Sequence, residues 1–402
     1  MSSGTIRWFA PAMLAAVAVT ALAPRAKAMP MFARKYNMQC AQCHTMPPRL
    51  TPFGYKFLRS GYRLAGAEEQ APSPTNALFF NTQVTASNTH FPGDSASDTR
   101  GFDSSGSEIQ LVTPIGENLA AKFAYSFPGD GPAGIDESWL QYNNNKPEAP
   151  IMTLKAGQLP VMSGFELGGA RSITLTDPLM FGSAGPFQGD TGNFSLSGLE
   201  RGLEFGVTQG PVTGKVSWLN GVNQAGEGAV GLNGKRAKDF ALQGEYLFGE
   251  TGSHIGAIVY SGNTPMLDYE NKFNRAAVFG TYAYPLKAGE KTGEMTLELN
   301  GAYLWGKDRI PDLSSEATPL PIIDAKSKGA LIELSLYQPG KTAFSLRYDT
   351  LKPSDVSGTL TTKATTFAAS HLLTSNLRLA AELRKQTKPD TDSFIVSAWL
   401  LY

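Results

Sequence analysis

The stretch Glu294-Met295-Thr296-Leu297-Glu298-Leu299-Asn300-Gly301-Ala302-Tyr303-Leu304-Trp305 places Met, Leu, Leu, Gly, Tyr and Trp at every second position, with Thr, Glu and Asn between the first of them. A repeat of two is the period of a β-strand, whose successive side chains leave opposite faces of the sheet. The pattern recurs along the chain. Leu119, Ala121, Phe123, Tyr125 and Phe127 alternate with Ala120, Lys122, Ala124 and Ser126; Phe344, Leu346 and Tyr348 with Ser345, Arg347 and Asp349; Leu377, Leu379, Ala381 and Leu383 with Arg378, Ala380, Glu382 and Arg384. In a soluble sandwich the apolar set turns into a core. In a transmembrane barrel it turns outward to lipid and the polar set lines a lumen.

Loop lengths decide between the two. Strands are predicted over 77–88, 107–113, 118–127, 135–143, 151–158, 198–208, 212–219, 238–248, 254–261, 274–284, 294–305, 329–337, 342–350, 361–370, 376–386 and 393–402, sixteen in all. Every second connection is short (114–117, 144–150, 209–211, 249–253, 285–293, 338–341, 372–375), and most of the others are longer, notably 160–197, 220–237 and 306–328. Short turns at one end and long loops at the other, around an even number of strands, are the layout of bacterial outer-membrane barrels. The expected fold is therefore all-β, a 16-stranded antiparallel transmembrane β-barrel over 77–402. Tyr246, Tyr282, Tyr284, Tyr303, Trp305 and Tyr348 supply its aromatic girdles, and the last strand ends on the aromatic Tyr402.

Composition agrees with this and excludes other classes. Thirty-five basic residues balance 35 acidic ones, so the chain has no basic footprint for nucleic acid. No apolar run after the first thirty residues is long enough for a spanning helix, so a membrane location requires a closed barrel. With four histidines, at 44, 90, 254 and 371, and no nucleophile motif, conventional hydrolase chemistry has little to build on.

The N-terminal part reads differently. Arg7, an apolar stretch from Trp8 to Leu22 and Ala26-Lys27-Ala28 form a three-part secretion signal, 1–28, cut after Ala28. Residues 29–64 follow, then a Pro- and Ala-rich linker, 65–76. Within 29–64 the only two cysteines stand as Cys40-Ala41-Gln42-Cys43-His44. C-x-x-C-H is the attachment sequence of a c-type haem: Cys40 and Cys43 form thioethers to the porphyrin and His44 is the proximal iron ligand. A redox dithiol needs a βαβ context, and a structural zinc site needs a second ligand pair; neither is visible.

Downstream, Thr51 caps a short helix that begins at Pro52 and ends at Gly61, with Phe53, Phe57 and Leu50 placed to cover one side of a porphyrin. A carbonyl of Pro47 or Pro48 is placed to orient the His44 imidazole. For the sixth iron position Met29, Met31 and His90 are candidates, as is an open site; Met38 and Met46 are too close in sequence to reach the opposite haem face. Sixteen strands enclose a lumen wide enough for water, and 29–64 is a suitable size to plug it.

The run Cys40-x-x-Cys43-His44-x-x-x-Pro48-x-Leu50-x-x-x-Gly54-x-x-Phe57-x-x-x-Gly61-Tyr62, followed by a barrel of this size, resembles the fused monohaem cytochrome-porins of iron-oxidising bacteria. The motif covers the first part of the mature chain, and the barrel matches in layout. The resemblance implies an outer-membrane protein with one covalently bound c-type haem. It would take electrons from extracellular Fe(II) and deliver them to a periplasmic cytochrome c or other carrier. The rivals are a haem-bearing porin for small solutes and a cytochrome-porin with another extracellular donor or acceptor. Acidic residues expected in the outer loops (Asp94, Asp98, Asp103, Asp268, Glu270, Asp308, Asp312, Glu316) show no metal-ligand spacing and read as solvated loop charges.

Overall fold

The computed structural model describes residues 31–64, 77–104, 107–127, 134–144, 150–161, 172–181, 187–189, 192–194, 199–220, 238–249, 251–265, 270–286, 295–311, 315, 321–352 and 361–401. The expected secretion signal, Met29, the expected linker, Asp268, Asp312, Glu316 and Tyr402 lie outside them.

Sixteen staves close into one antiparallel barrel. They are β1 Leu78–His90, β2 (Thr99–Asp103 and Glu108–Ile115), β3 Leu119–Ser126, β4 Gly134–Asn143, β5 Ile151–Pro160, β6 Leu199–Gln209, β7 Val212–Leu219, β8 Asp239–Phe248, β9 Ser253–Pro265, β10 Glu270–Leu286, β11 Met295–Pro311, β12 Ile322–Gln338, β13 Thr342–Lys352, β14 Thr362–Thr374, β15 Leu377–Thr387 and β16 Thr391–Leu401. The second stave is broken. Its first piece pairs with residues 85–89 of β1 and its second with residues 78–81. The circle closes where β16 pairs with β1, from Asp392 opposite His90 to Leu401 opposite Asn81.

The faces fall as the alternation predicts. Leu299, Ile332, Leu346 and Leu383 are 43–52% exposed on the outside, whereas Asn300, Glu333, Arg347 and Asp349 on the same strands are fully buried. This inside-out distribution suits hydrocarbon and not water. The six girdle aromatics are all between 43 and 54% exposed. Asp308 departs from its expected place: it lies on β11, fully buried, and pairs with Arg275 at 2.7 Å. The strand outlasts the predicted loop boundary, so a loop charge becomes a lumen charge.

Residues 31–64 fold into three short helices, α1 Met31–Tyr36, α2 Cys40–Cys43 and α3 Pro52–Arg59. They pack inside the barrel at its short-turn end. Ala41 abuts Gly340 in the β12–β13 turn, Pro52 abuts Gly252 before β9, and the Arg63 guanidinium donates to the carbonyl of Gly116 between β2 and β3. A second segment, missed by the sequence reading, enters the lumen from the β5–β6 connection. The Glu382 carboxylate accepts the Leu175 and Thr176 amides, Asp349 accepts the Leu179 amide at 2.8 Å, and Met180 and Phe181 join an apolar cluster with Tyr260, Phe273 and Leu304. The long 160–197 connection is therefore not wholly an outer loop.

Candidate functional site

The local structure around Cys40 follows from Thr51. Its side-chain oxygen accepts the Gly54 amide at 3.1 Å and caps α3, with Pro52 at the first helical position. Its hydroxyl donates to the Gln42 carbonyl at 2.5 Å, and its own amide donates to the Cys43 carbonyl at 2.9 Å. One residue thus fastens the start of α3 to the end of α2. Gly54 permits the contact, since a Cβ there would stand 2.2 Å from the Cys43 carbonyl oxygen. Gly61, at φ +71°, ends the helix in the left-handed conformation the reading expected.

The barrel holds this unit through buried charge. Arg49 is fully buried and reaches Glu298 at 2.5 Å and Glu333 at 2.8 Å, both inward-facing on neighbouring strands. Arg59 pairs with Glu245 on β8. Arg378 donates to the Pro47 carbonyl at 2.9 Å and also to the Ile173 carbonyl, so it ties the helical segment to the inward connection. Met46 packs there with Ile173, Tyr337, Ala343 and Leu372.

Cys40, Cys43 and His44 line one cavity of about 670 Å³. That lies within the range of roughly 300–1,000 Å³ usual for sites that take cofactor-sized ligands. Its apolar wall is aromatic: Phe32 stacks on Tyr62 at 5.0 Å between ring centres, Tyr62 on Trp139 at 6.2 Å, and Phe57 meets Phe32 edge-on at 5.0 Å. Burial pushes both thiols up, Cys43 to about 11. A nucleophilic or disulfide-exchanging cysteine needs the opposite shift, so the redox-dithiol alternative finds no support here.

Of the predicted residues, Leu50, Phe57 and Met31 line the cavity with the two cysteines and His44, and so does Met38. Phe53 does not; at the start of α3, one turn before the buried Phe57, it is 40% exposed. Met46 is sealed in its own cluster. His90 is excluded as an iron ligand: it pairs with Asp98 at 2.9 Å at the far end of β1, about 23 Å along the strand from Gln83, the last β1 residue on the cavity. The reading missed Phe32 and Tyr36, gave Tyr62 a place in the motif but none in the cavity wall, and missed the roles of Arg49 and Arg378, whose partners are hundreds of residues away.

No family model and no curated protein matches the sequence. Solved structures match in shape. The chain is similar to the anion-selective porin from Comamonas acidovorans (13% identity, TM-score 0.59, covering 81% of this chain and 98% of that one). It is also similar to the outer membrane channel DcaP of Acinetobacter baumannii (12%, 0.55, 84% and 100%) and to Pseudomonas putida OprB (9%, 0.54, 81% and 93%). At these identities the likeness is one of fold, and the chain has the closed-barrel fold of outer-membrane porins.

Proposed function

We propose that this protein sits in the outer membrane and carries electrons across it through one covalent c-type haem, from extracellular Fe(II) to a periplasmic cytochrome c or other carrier. The observation that carries the reading is that Cys40, Cys43 and His44 share one aromatic-walled cavity inside a lipid-facing barrel. The residues fit the group. Two thiols three apart on a helical turn suit the two thioether bonds, the adjoining imidazole suits the iron, and stacked rings suit a porphyrin face. Met31, a candidate for the further iron ligand, borders the same cavity. Bound there, the haem supplies a one-electron relay: each Fe²⁺ gives up one electron and leaves as Fe³⁺, and one electron passes to the carrier. The chain's own residues hold the relay in place at the short-turn mouth.

The test is to purify the full chain in detergent, stain a denaturing gel for covalent haem, and follow haem absorbance on adding Fe²⁺. Stain that disappears in Cys40→Ser and Cys43→Ser, with reduction by Fe²⁺ that disappears in His44→Ala, is the expected result. Absence of stain in the unaltered chain overturns the assignment.

The comparisons by themselves favour a second reading, a haem-bearing channel for small solutes, because the similar structures are porins and channels. Planar-bilayer recording separates the two: steady conductance by the intact chain favours solute passage, and silence with Fe²⁺-reducible haem favours the relay. A cytochrome-porin serving another extracellular donor or acceptor is told apart by a haem that stains but ignores Fe²⁺.

A further inference from the structure

The cavity that holds Cys40, Cys43 and His44 does not end at them. It extends along the inner wall of β1–β4 to Ser126 and Asp136, at the ends of β3 and β4 remote from the short turns. Ser126 lies four residues beyond Lys122, the other residue of β3 on the cavity, about 13 Å along the strand. Along this limb the charges are unequal. Among the described residues that line it, Glu108, Asp136 and Glu137 face one cation, Lys122, which pairs with Glu137 at 3.0 Å. Glu108 accepts from the neutral amides of Asn81 at 3.0 Å and Gln110 at 2.6 Å, and Asp136 from the Ser126 hydroxyl. Among the described residues, carboxylates therefore outnumber cations along the limb. At the inner end Arg378 turns its donors to the Pro47 and Ile173 carbonyls and to Ser370.

We propose that this limb is the entry path of a small hydrated cation, which travels from the outer side down to the cysteine–histidine face, with Glu108 and Asp136 favouring cations over anions. A low-dielectric channel lined by one sign of charge concentrates the opposite ion. In naming this cation as the electron donor the proposal rests on the relay reading. It explains how a donor outside reaches a site built at the opposite mouth: the ion moves to the relay, and only its electron continues. A bulky protein donor cannot follow that path.

The experiment places a reporter thiol at Ser375, which borders the cavity in the short β14–β15 turn with its carbonyl 3.7 Å from the Cys40 sulfur, and a second at Ser126, each in the full chain displayed on intact cells. Cells are treated with trimethylammonium-ethyl or sulfonatoethyl methanethiosulfonate, and each rate is divided by that for a small free thiol. At Ser375→Cys the cationic reagent is expected to lead by roughly tenfold, the lower end of such steering effects. Adding Glu108→Gln and Asp136→Asn should remove most of that lead. Equal normalised rates, a lead untouched by the double substitution, or labelling at Ser126→Cys with none at Ser375→Cys overturns the proposal. Heat-modified gel mobility confirms that each variant has closed its barrel. Without the reporters, labelling of Cys40 and Cys43 reveals a chain lacking covalent haem. The relay reading then falls, and the Ser375→Cys measurement is repeated with Cys40→Ser and Cys43→Ser to test the path by itself.

Discussion

Replacing Arg49 by Met tests what seats the helical segment in the barrel. Arg49, Glu298 and Glu333 have side chains at most 5% exposed, with contacts of 2.5 and 2.8 Å. Removing the guanidinium leaves two carboxylates facing each other out of water, and breaking a buried pair costs about 3–5 kcal/mol. At about 1.4 kcal/mol per power of ten, opening of the segment should become roughly two to nearly four powers of ten more frequent. Hydrogen exchange of a peptide spanning 51–64, followed by mass spectrometry in detergent, reads this directly, because the Tyr55 and Ser60 amides are bonded within that stretch. The triple variant Arg49→Met, Glu298→Gln, Glu333→Gln removes the stranded charges and should regain most of the protection. Unchanged exchange in Arg49→Met, or a triple variant as fast as the single one, refutes the reasoning.

Gly54→Ala drives a methyl into the Cys43 carbonyl, an overpacking worth about 1–3 kcal/mol; exchange over α3 should quicken while barrel mobility on gels stays the same. Leu346→Arg places a charge on the outer face, where Leu346 is 52% exposed, and should lower barrel stability in lipid by about 2–4 kcal/mol near the midplane, as measured by urea titration. In haem-free chain, Cys43 with its pKa near 11 is almost wholly protonated at neutral pH, so its alkylation should climb about tenfold per pH unit up to that value; a plateau near pH 8 contradicts the burial described.

The barrel was legible because its determinants are local. Period-two alternation around Leu299 or Leu346 and short turns at every second connection are properties of neighbouring residues, and so is the cap that Thr51 sets on α3. The same holds for Cys40, Cys43 and His44, which the pentapeptide picks out and the structure gathers on one cavity. What escaped the reading depends on chain crossings. Ile173 meets Met46 and Arg378 only because the β5–β6 connection turns inward, and no periodicity marks a segment that serves as filler. Phe53 shares the face of Phe57 on a helical wheel but sits one turn earlier, and how far along α3 the cavity reaches depends on how Tyr55 and Arg59 dock on His254 and Glu245 of the barrel.

The cavity borrows its walls from both ends of the barrel sequence: Phe79, Asn81 and Gln83 belong to the first strand, and Trp399 and Leu401 to the last. Such a chamber has no existence until those two strands meet. On the function proposed above, a guest too large to slip in afterwards would have to be fastened to the chain before the seam is sewn, so its loading would precede barrel assembly. A chain that arrives at the membrane unloaded would close around an empty room and be shut out of repair.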